Sequence, residues 1–283
     1  MTILVTGARG NIGSQVVTRL HAAGGSLRAS SRRSGDLAVP PGVQTVTLDL
    51  REPGTYRAAL DGVTRVFLYA EPDGVADFLK AADEAGVRKV VVLSSNTVLL
   101  PGADQDPLAR HHRVVEEAVF ASGLPHVLLR PGAFASNALG WSTDIREGRA
   151  VQQPFADAQM APVHDADVAD VAAAALAEGS GMPEAVPLSG PQSLSFRAEV
   201  GIIADLLGRE IHVRDMDRAE AAETMGRFVP PPVLTSLLDQ WEAALAQPAD
   251  TSATCEPWTG APARTFRQWV EEHLGAFGDA PAG

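Results

Sequence analysis

Ile3-Leu4-Val5 runs straight into Thr6-Gly7-Ala8-Arg9-Gly10-Asn11-Ile12-Gly13, and Ser14-Gln15-Val16-Val17 follows. No other stretch of the chain restricts its fold as much. A short buried strand, a tight glycine turn and a new helix aim backbone N–H groups and the positive end of the helix at whatever lies over the turn. A pyrophosphate is the natural occupant. Gly7 permits the turn, Gly10 lets phosphates approach the backbone, and Gly13 lets the helix pack closely on the strand. Arg9, Gly10, Asn11, Ile12 and Gly13 are therefore candidate dinucleotide contacts. Glycines also occur in ordinary strand–turn–helix corners; the strand-first context is what specifies a dinucleotide-binding unit.

The 283 residues are long for one minimal domain and short for two large ones, so one core with an appended lobe is expected. A hydrophobic content of 45% is ordinary for a globular protein, and no apolar run is long enough to span a membrane. The N-terminus lacks the basic segment of a secretory leader. Cys255 is the only cysteine, which excludes an intramolecular disulfide and a thiolate zinc cluster. The expected compartment is the cytoplasm. A formal net charge of −12 argues against nucleic acid as a partner, since that needs a basic surface. Small molecules are the expected partners, neither nucleic acid nor membrane, and oligomerisation is left open.

Apolar runs alternate with helical patterns. After Ile3-Leu4-Val5 come Leu27-Arg28-Ala29-Ser30, Gln44-Thr45-Val46-Thr47-Leu48, Val66-Phe67-Leu68-Tyr69, Lys89-Val90-Val91-Val92-Leu93 and His126-Val127-Leu128-Leu129. Helices are expected between most of them, for instance over 74–85 and 111–121. Several strands are apolar throughout, which calls for a parallel sheet covered on both faces, so the fold class is α/β with a doubly wound sheet. After Asn137 glycine, proline and isolated helices take over, as in Pro230-Pro231-Pro232 and 266–274. Residues 1–155 are expected to form the nucleotide-binding domain, its sheet and packing helices completed by parts of 162–190. Residues 156–283 are expected to form a smaller, substrate-binding C-terminal lobe that closes over the carboxyl ends of the strands. An alanine-rich helix is expected over 168–176, and a frayed tail over 275–283.

Enzymes that prefer NAD place an acid near the end of the second strand, where it accepts from the ribose 2′-OH. Here that strand ends Ser30-Ser31-Arg32-Arg33, with no acid until Asp36. Two guanidiniums and two hydroxyls suit a 2′-phosphate that a carboxylate would repel, and Arg9 adds a third charge. Asp49-Leu50, ending the third strand, would flank the adenine. NADP(H) is the expected cofactor.

The glycine motif, Arg28-Ala29-x-x-Arg32, Gly123-Leu124-Pro125 and Arg130-Pro131-Gly132-Ala133-Phe134-x-x-Asn137 together resemble the NmrA-like group of atypical short-chain dehydrogenase/reductases. So do Val163-His164-Asp165-x-Asp167-Val168-Ala169 and Leu188-Ser189-Gly190-Pro191, so that the resemblance spans most of the chain. It implies a Rossmann-type sheet and NADP(H). Relatives of this kind include quinone oxidoreductases, isoflavone-reductase-like enzymes and redox sensors, and fold transfers across such a group better than reaction does.

The superfamily's usual chemistry, as the resemblance implies it, uses a tyrosine as acid/base and a lysine four residues later, with a serine from the end of the fifth strand. Aligned on that pattern, Leu108 stands at the tyrosine position and His112 at the lysine position, while Ser94-Ser95 ends the fifth strand. The only tyrosines are Tyr56 and Tyr69, and neither has a lysine at i+4. The dyad is absent, which speaks against a sugar epimerase or dehydratase. Hydride transfer to an activated acceptor survives, because the cofactor brings the chemistry and the protein the orientation.

His112 and Ser95 are the candidate catalytic residues, with Tyr69 on the cofactor crevice and Asn137 shaping the pocket beyond the sixth strand. Ser94, Tyr69 and His112 are also candidate cofactor contacts. Two roles stay open for His112, proton donor and ribose partner, beside that of a plain core histidine. Helical periodicity points His111 inward, whereas the resemblance prefers His112. Arg130 is expected to pair with a carboxylate of the main sheet, and Asp167 to cap the helix after it; no metal is expected. The expected function is NADPH-dependent reduction of a small planar carbonyl or quinone. The alternative is a noncatalytic NADP(H) sensor acting through a protein partner.

Overall fold

A computed structural model describes residues 2–33, 35, 37–179 and 181–278. Asp36 lies outside the described residues. The chain divides into two compact units. The first comprises Met1–Pro131, Asp165–Leu188 and Cys255–Ala261. The second comprises Gly132–His164, Ser189–Thr254 and Pro262–Gly283.

The first unit carries the doubly wound sheet read from the alternating apolar runs. Its strands are β1 (Thr2–Val5), β2 (Ser26–Ser31), β3 (Gln44–Thr47), β4 (Val63–Tyr69), β5 (Lys89–Leu93), β6 (His126–Pro131) and β7 (Ala185–Leu188). They lie in the order β3-β2-β1-β4-β5-β6-β7, every neighbouring pair parallel. The order reverses between β1 and β4, so the chain leaves those two strands toward opposite sides. A crevice opens above their carboxyl ends.

Both faces of the sheet are covered, which is why the strands are apolar rather than alternating. Leu4, Val66, Leu68, Val90, Val92 and Leu128 share one core with Phe78, Leu79, Val115 and Val119. Those last four belong to α3 (Val75–Glu84) and α4 (Pro107–Ser122), with α2 (Tyr56–Leu60) packed beside α3. The intervening residues Ile3, Val5, Phe67, Val91, Val127 and Leu129 are equally buried and point the other way. On that side α1 (Asn11–Ala22) packs against α5 (Asp165–Leu176), which also contacts β4, β5 and β6. Polar staples register the two helices: Arg19 pairs with Asp170 and donates to the Ala166 carbonyl at 3.1 Å.

Helix α4 begins four residues earlier than apolar periodicity indicates, because Asp106 caps it by accepting from Ala109 N–H at 2.8 Å and Pro107 is preset for its first turn. Gly123, at φ 70°, stops it. Asp167 is not the cap of α5: the helix starts at Asp165, and both acids lie in its first turn.

The second unit begins at Gly132 rather than at 156. Val151–Pro154 pairs in parallel with Val213–Met216, and Ala135, Ala138 and Ile145 join the core of Phe266, Trp269 and Val270, which ties 132–155 to the later chain. The helix Phe266–His273 opens with a capping box between Thr265 and Gln268. The expected tail does not begin at Gly275, because Phe277 is fully buried edge-on to Trp269; residues 279–283 lie outside the described residues. Among the described residues no helix is long and apolar enough to cross a membrane.

Candidate cofactor site

A cleft of about 870 Å³ lies over the carboxyl ends of β1, β2, β3 and β4 in the first unit. Its floor is the glycine turn. Gly7 has φ +61°, and a Cβ there would also press on Tyr69 Cβ at 3.0 Å. A Cβ on Gly13 would stand 2.3 Å from the Gly7 carbonyl oxygen, so α1 packs directly on the turn that precedes it. Gly10 N–H donates to the Gly7 carbonyl at 2.8 Å, and Ala8 N–H to Ser30 at 3.1 Å. Thr6 Oγ1 accepts from the Tyr69 N–H at 2.7 Å, which joins the turn to the end of β4. No side chain caps α1 at Gly10, so its N-terminal dipole faces the cleft.

Asn11 and Ile12 open α1 directly after Gly10 and are not among the residues that line the cleft. The Asn11 side chain is turned away: its amide donates to Asp165 at 2.5 Å and its oxygen accepts from Gln15 at 2.9 Å. Asp165 therefore anchors the start of α1 to the start of α5. That contact joins residues 154 positions apart, and the acids around His164 carried no sign of it.

Arg9, Arg32, Arg33 and Arg51 line the cleft, with Asp49, Leu50, Tyr69 and Glu71. Arg9, Arg32 and Arg33 are exposed. The hydroxyls of Ser30 and Ser31 do not join them as expected. Ser30 donates to the Val5 carbonyl at 3.3 Å, and Ser31 bonds the Arg33 backbone, donating to its carbonyl at 2.7 Å and accepting from its N–H at 3.2 Å. They shape the loop that carries the arginines. Arg51 and Glu71 were not singled out from the sequence. The spacing of Asp49 and Arg51 held a signal, since an aspartate that accepts from the backbone two residues on forms a common turn. Arg51 N–H donates to Asp49 Oδ1 at 3.0 Å, and its guanidinium adds contacts at 3.1 and 3.0 Å. Arg51 first, and Arg32 after it, hold the Asp49 carboxyl below the usual range.

The candidate catalytic residues fall in different settings. Tyr69 is 54% exposed on the cleft. Ser94 is buried at the end of β5 and donates to Glu116 Oε1 at 2.6 Å. Arg130 grips the same carboxylate at 2.9 and 2.6 Å, so its partner comes from α4 and not from the sheet. Ser95 Oγ accepts from the N–H and hydroxyl of Thr97, at 3.2 and 3.0 Å, which leaves its own proton to donate. His111 is the exposed one of the pair, its Nε2 3.1 Å from the carbonyl of Ala70, the residue between cleft-lining Tyr69 and Glu71. His112 is the inward one, its Nδ1 buried without a hydrogen-bond partner. Burial, reinforced by His111 and opposed by Glu116, pushes its imidazole down to about 4. It is neutral at physiological pH. Asn137 belongs to the second unit, exposed on the short helix Ala135–Trp141.

A family model described as NAD(P)H-binding matches residues 7–179. A (4-alkanoyl-5-oxo-2,5-dihydrofuran-3-yl)methyl phosphate reductase of Streptomyces griseus is 37% identical over 97% of this chain and 99% of its own. An NAD(P)H azoreductase of Xenophilus azovorans is 33% identical over 98% and 100%. The structure of an NADPH-dependent quinone oxidoreductase of Escherichia coli, complexed with NADPH, matches with a TM-score of 0.80 at 23% identity, over 97% of this chain and all 100% of that one. That likeness speaks to the fold alone. With the family model spanning the glycine turn, the arginine loop and most of the sheet, and with curated relatives matching end to end, this chain belongs to the NAD(P)H-binding family.

Proposed function

We propose that this protein is a cytoplasmic NADPH-dependent reductase of a small, electron-poor conjugated acceptor. The observation that carries the reading is the cleft: a glycine turn too tight for a Cβ at Gly13, an uncapped helix end, and four arginines, one in that turn and three after the second and third strands. That donor set fits a dinucleotide with an additional phosphate. Gly7, Gly10 and the N–H groups of Asn11, Ile12 and Gly13 hold its pyrophosphate. Arg9, Arg32 and Arg33 hold the 2′-phosphate, and Asp49-Leu50 borders the adenine. When bound, the nicotinamide supplies the hydride.

The acceptor class follows from what the chain lacks. Without a tyrosine–lysine pair there is no strong, positioned acid for an isolated ketone. The relatives' names specify an azo bond and a ring double bond flanked by two carbonyls. In such acceptors charge arising on reduction spreads onto electronegative atoms, so a weak donor or water suffices to complete it. The Ser95 hydroxyl and neutral His112 are such donors, and Tyr69 packs against the ring. Asn137 has a part in acceptor binding on the strength of the resemblance alone. Small molecules are its partners, since a net charge of −12 offers nucleic acid no basic face.

The test is NADPH oxidation, followed by the loss of the reduced nicotinamide's absorbance, with quinones, azo dyes and alkanoyl butenolides. Turnover is expected with conjugated acceptors and not with isolated ketones. Arg32→Ala should erase a preference for NADPH over NADH of roughly tenfold or more, the worth of a charge-assisted contact. Equal use of both cofactors by the unaltered protein overturns the NADPH reading.

A further inference from the structure

The cleft contains a charge that opposes its proposed ligand. Asp49 lies two residues past the end of the third strand and lines the same cleft as Arg32 and Arg33. It does not stand at the second-strand position from which an acid accepts from a ribose 2′-OH, but as an anion in the same cleft it repels a 2′-phosphate. Yet Asp49 is not presented as a bare anion. Arg51 folds back over a turn of two residues and meets both carboxylate oxygens, with Nε 3.1 Å from Oδ1 and Nη2 3.0 Å from Oδ2. Its own backbone N–H adds a third contact at 3.0 Å. The turn leaves 15% of the Asp49 side chain accessible, against 49% of Arg51, so the guanidinium is the group offered to solvent and cleft.

We propose that Arg51 is a specificity-determining residue that acts through Asp49, cancelling its charge so that the cleft accepts a 2′-phosphate. The proposal rests on the NADPH reading above and names the device that permits it. Two effects of Arg51 work in the same direction. It removes like-charge repulsion between Asp49 and the phosphate. It also occupies a carboxylate that would otherwise compete with the phosphate for Arg32, which lines the same cleft. Neither effect bears on NAD, which carries an uncharged hydroxyl in place of that phosphate.

Calorimetric titration of the full-length protein with NADP and NAD tests this, using R51A, D49N and the double variant D49N/R51A. R51A is expected to weaken NADP binding at least about tenfold while NAD changes by less than about threefold, so the preference collapses. Removing the bared carboxylate in D49N/R51A should restore NADP to within about threefold of the unaltered protein. That rescue is a result no merely structural loss would produce. R51Q, which keeps a donor for Asp49 but no charge, serves the same comparison if circular dichroism shows R51A misfolded. Unchanged preference in R51A overturns the proposal. Loss of NADP without rescue by D49N also overturns it, showing that Arg51 meets the cofactor itself. A protein that lacks the preference before any substitution fails the NADPH reading first, and that outcome is separate from both.

Discussion

His111 and His112 are neighbours in sequence and meet opposite environments. His111 is exposed and tied to the end of β4 through Ala70; His112 turns inward with a buried Nδ1 that lacks a partner. An unfilled acceptor nitrogen costs less than a buried N–H without an acceptor, so the neutral ring is expected to carry its proton on Nε2. His112→Ala should therefore lower turnover by roughly tenfold with the fold retained, the scale of one positioned donor. His111→Ala should remove one hydrogen bond, about 1 kcal/mol, read as a lower melting temperature with turnover kept. Steady-state kinetics beside thermal melts separate the two, and activity that tracks His111 instead would reverse the assignment. Periodicity points the other way because one helical position is only 100° from the next, and the stripe of Val115 and Val119 does not resolve it. The glycine turn is legible because all its contacts are local. The Glu116 cluster is not, since its members are 14 and 22 residues apart and nothing in the pattern pairs them.

At the scale of elements, that cluster joins three of them. Ser94 at the end of β5, Arg130 in β6 and Glu116 in α4 meet through one carboxylate, 6% exposed. Such a pair contributes little net stability against an apolar substitute, but breaking it leaves a buried charge. Glu116→Ala is expected to destabilise the protein by about 3–5 kcal/mol, and Arg130→Met added to it should recover part of that loss. Urea unfolding of the single and double variants measures both, and an additive double variant refutes the coupling. The strands of the sheet are legible from their apolar runs, because burial on both faces removes polar alternation. The boundary at Gly132 is not, because it is set by the pairing of Val151–Pro154 with Val213–Met216, across a separation that local pattern cannot register. The arginine loop is intermediate: its charges are visible in the sequence, whereas the bonds that direct Ser30 and Ser31 to the backbone depend on the closeness of β1 and on the turn at Arg33.

Two buried groups contribute to the molecule's response to pH with opposite signs. Glu199, in the first turn of the helix Phe196–Leu207, is 5% exposed and has no ion pair or hydrogen bond to its carboxylate among the described residues. Burial raises it from 4.5 to about 8, although its place at a helix N-terminus favours the anion slightly. The folded protein thus keeps a proton that the unfolded chain gives up above about 4.5, and Glu199 makes stability fall as pH rises from there to about 8. His112 does the reverse. Its folded value near 4 lies below the ordinary 6.5, so the unfolded chain takes up the extra proton, and stability from this group is complete above 6.5 and lost as pH falls toward 4. Between about 4.5 and 6.5 the two slopes oppose each other, one proton each, and nearly cancel. From 6.5 to 8 only Glu199 of this pair acts, and its contribution to stability should fall by roughly 2 kcal/mol. Melting temperatures measured from pH 4.5 to 8 are therefore expected to show a plateau followed by a decline. Glu199→Gln should remove the decline, and His112→Gln should extend it down to the lower end of the plateau. A decline that persists in Glu199→Gln would mean that the buried carboxyl is not the group releasing its proton on unfolding.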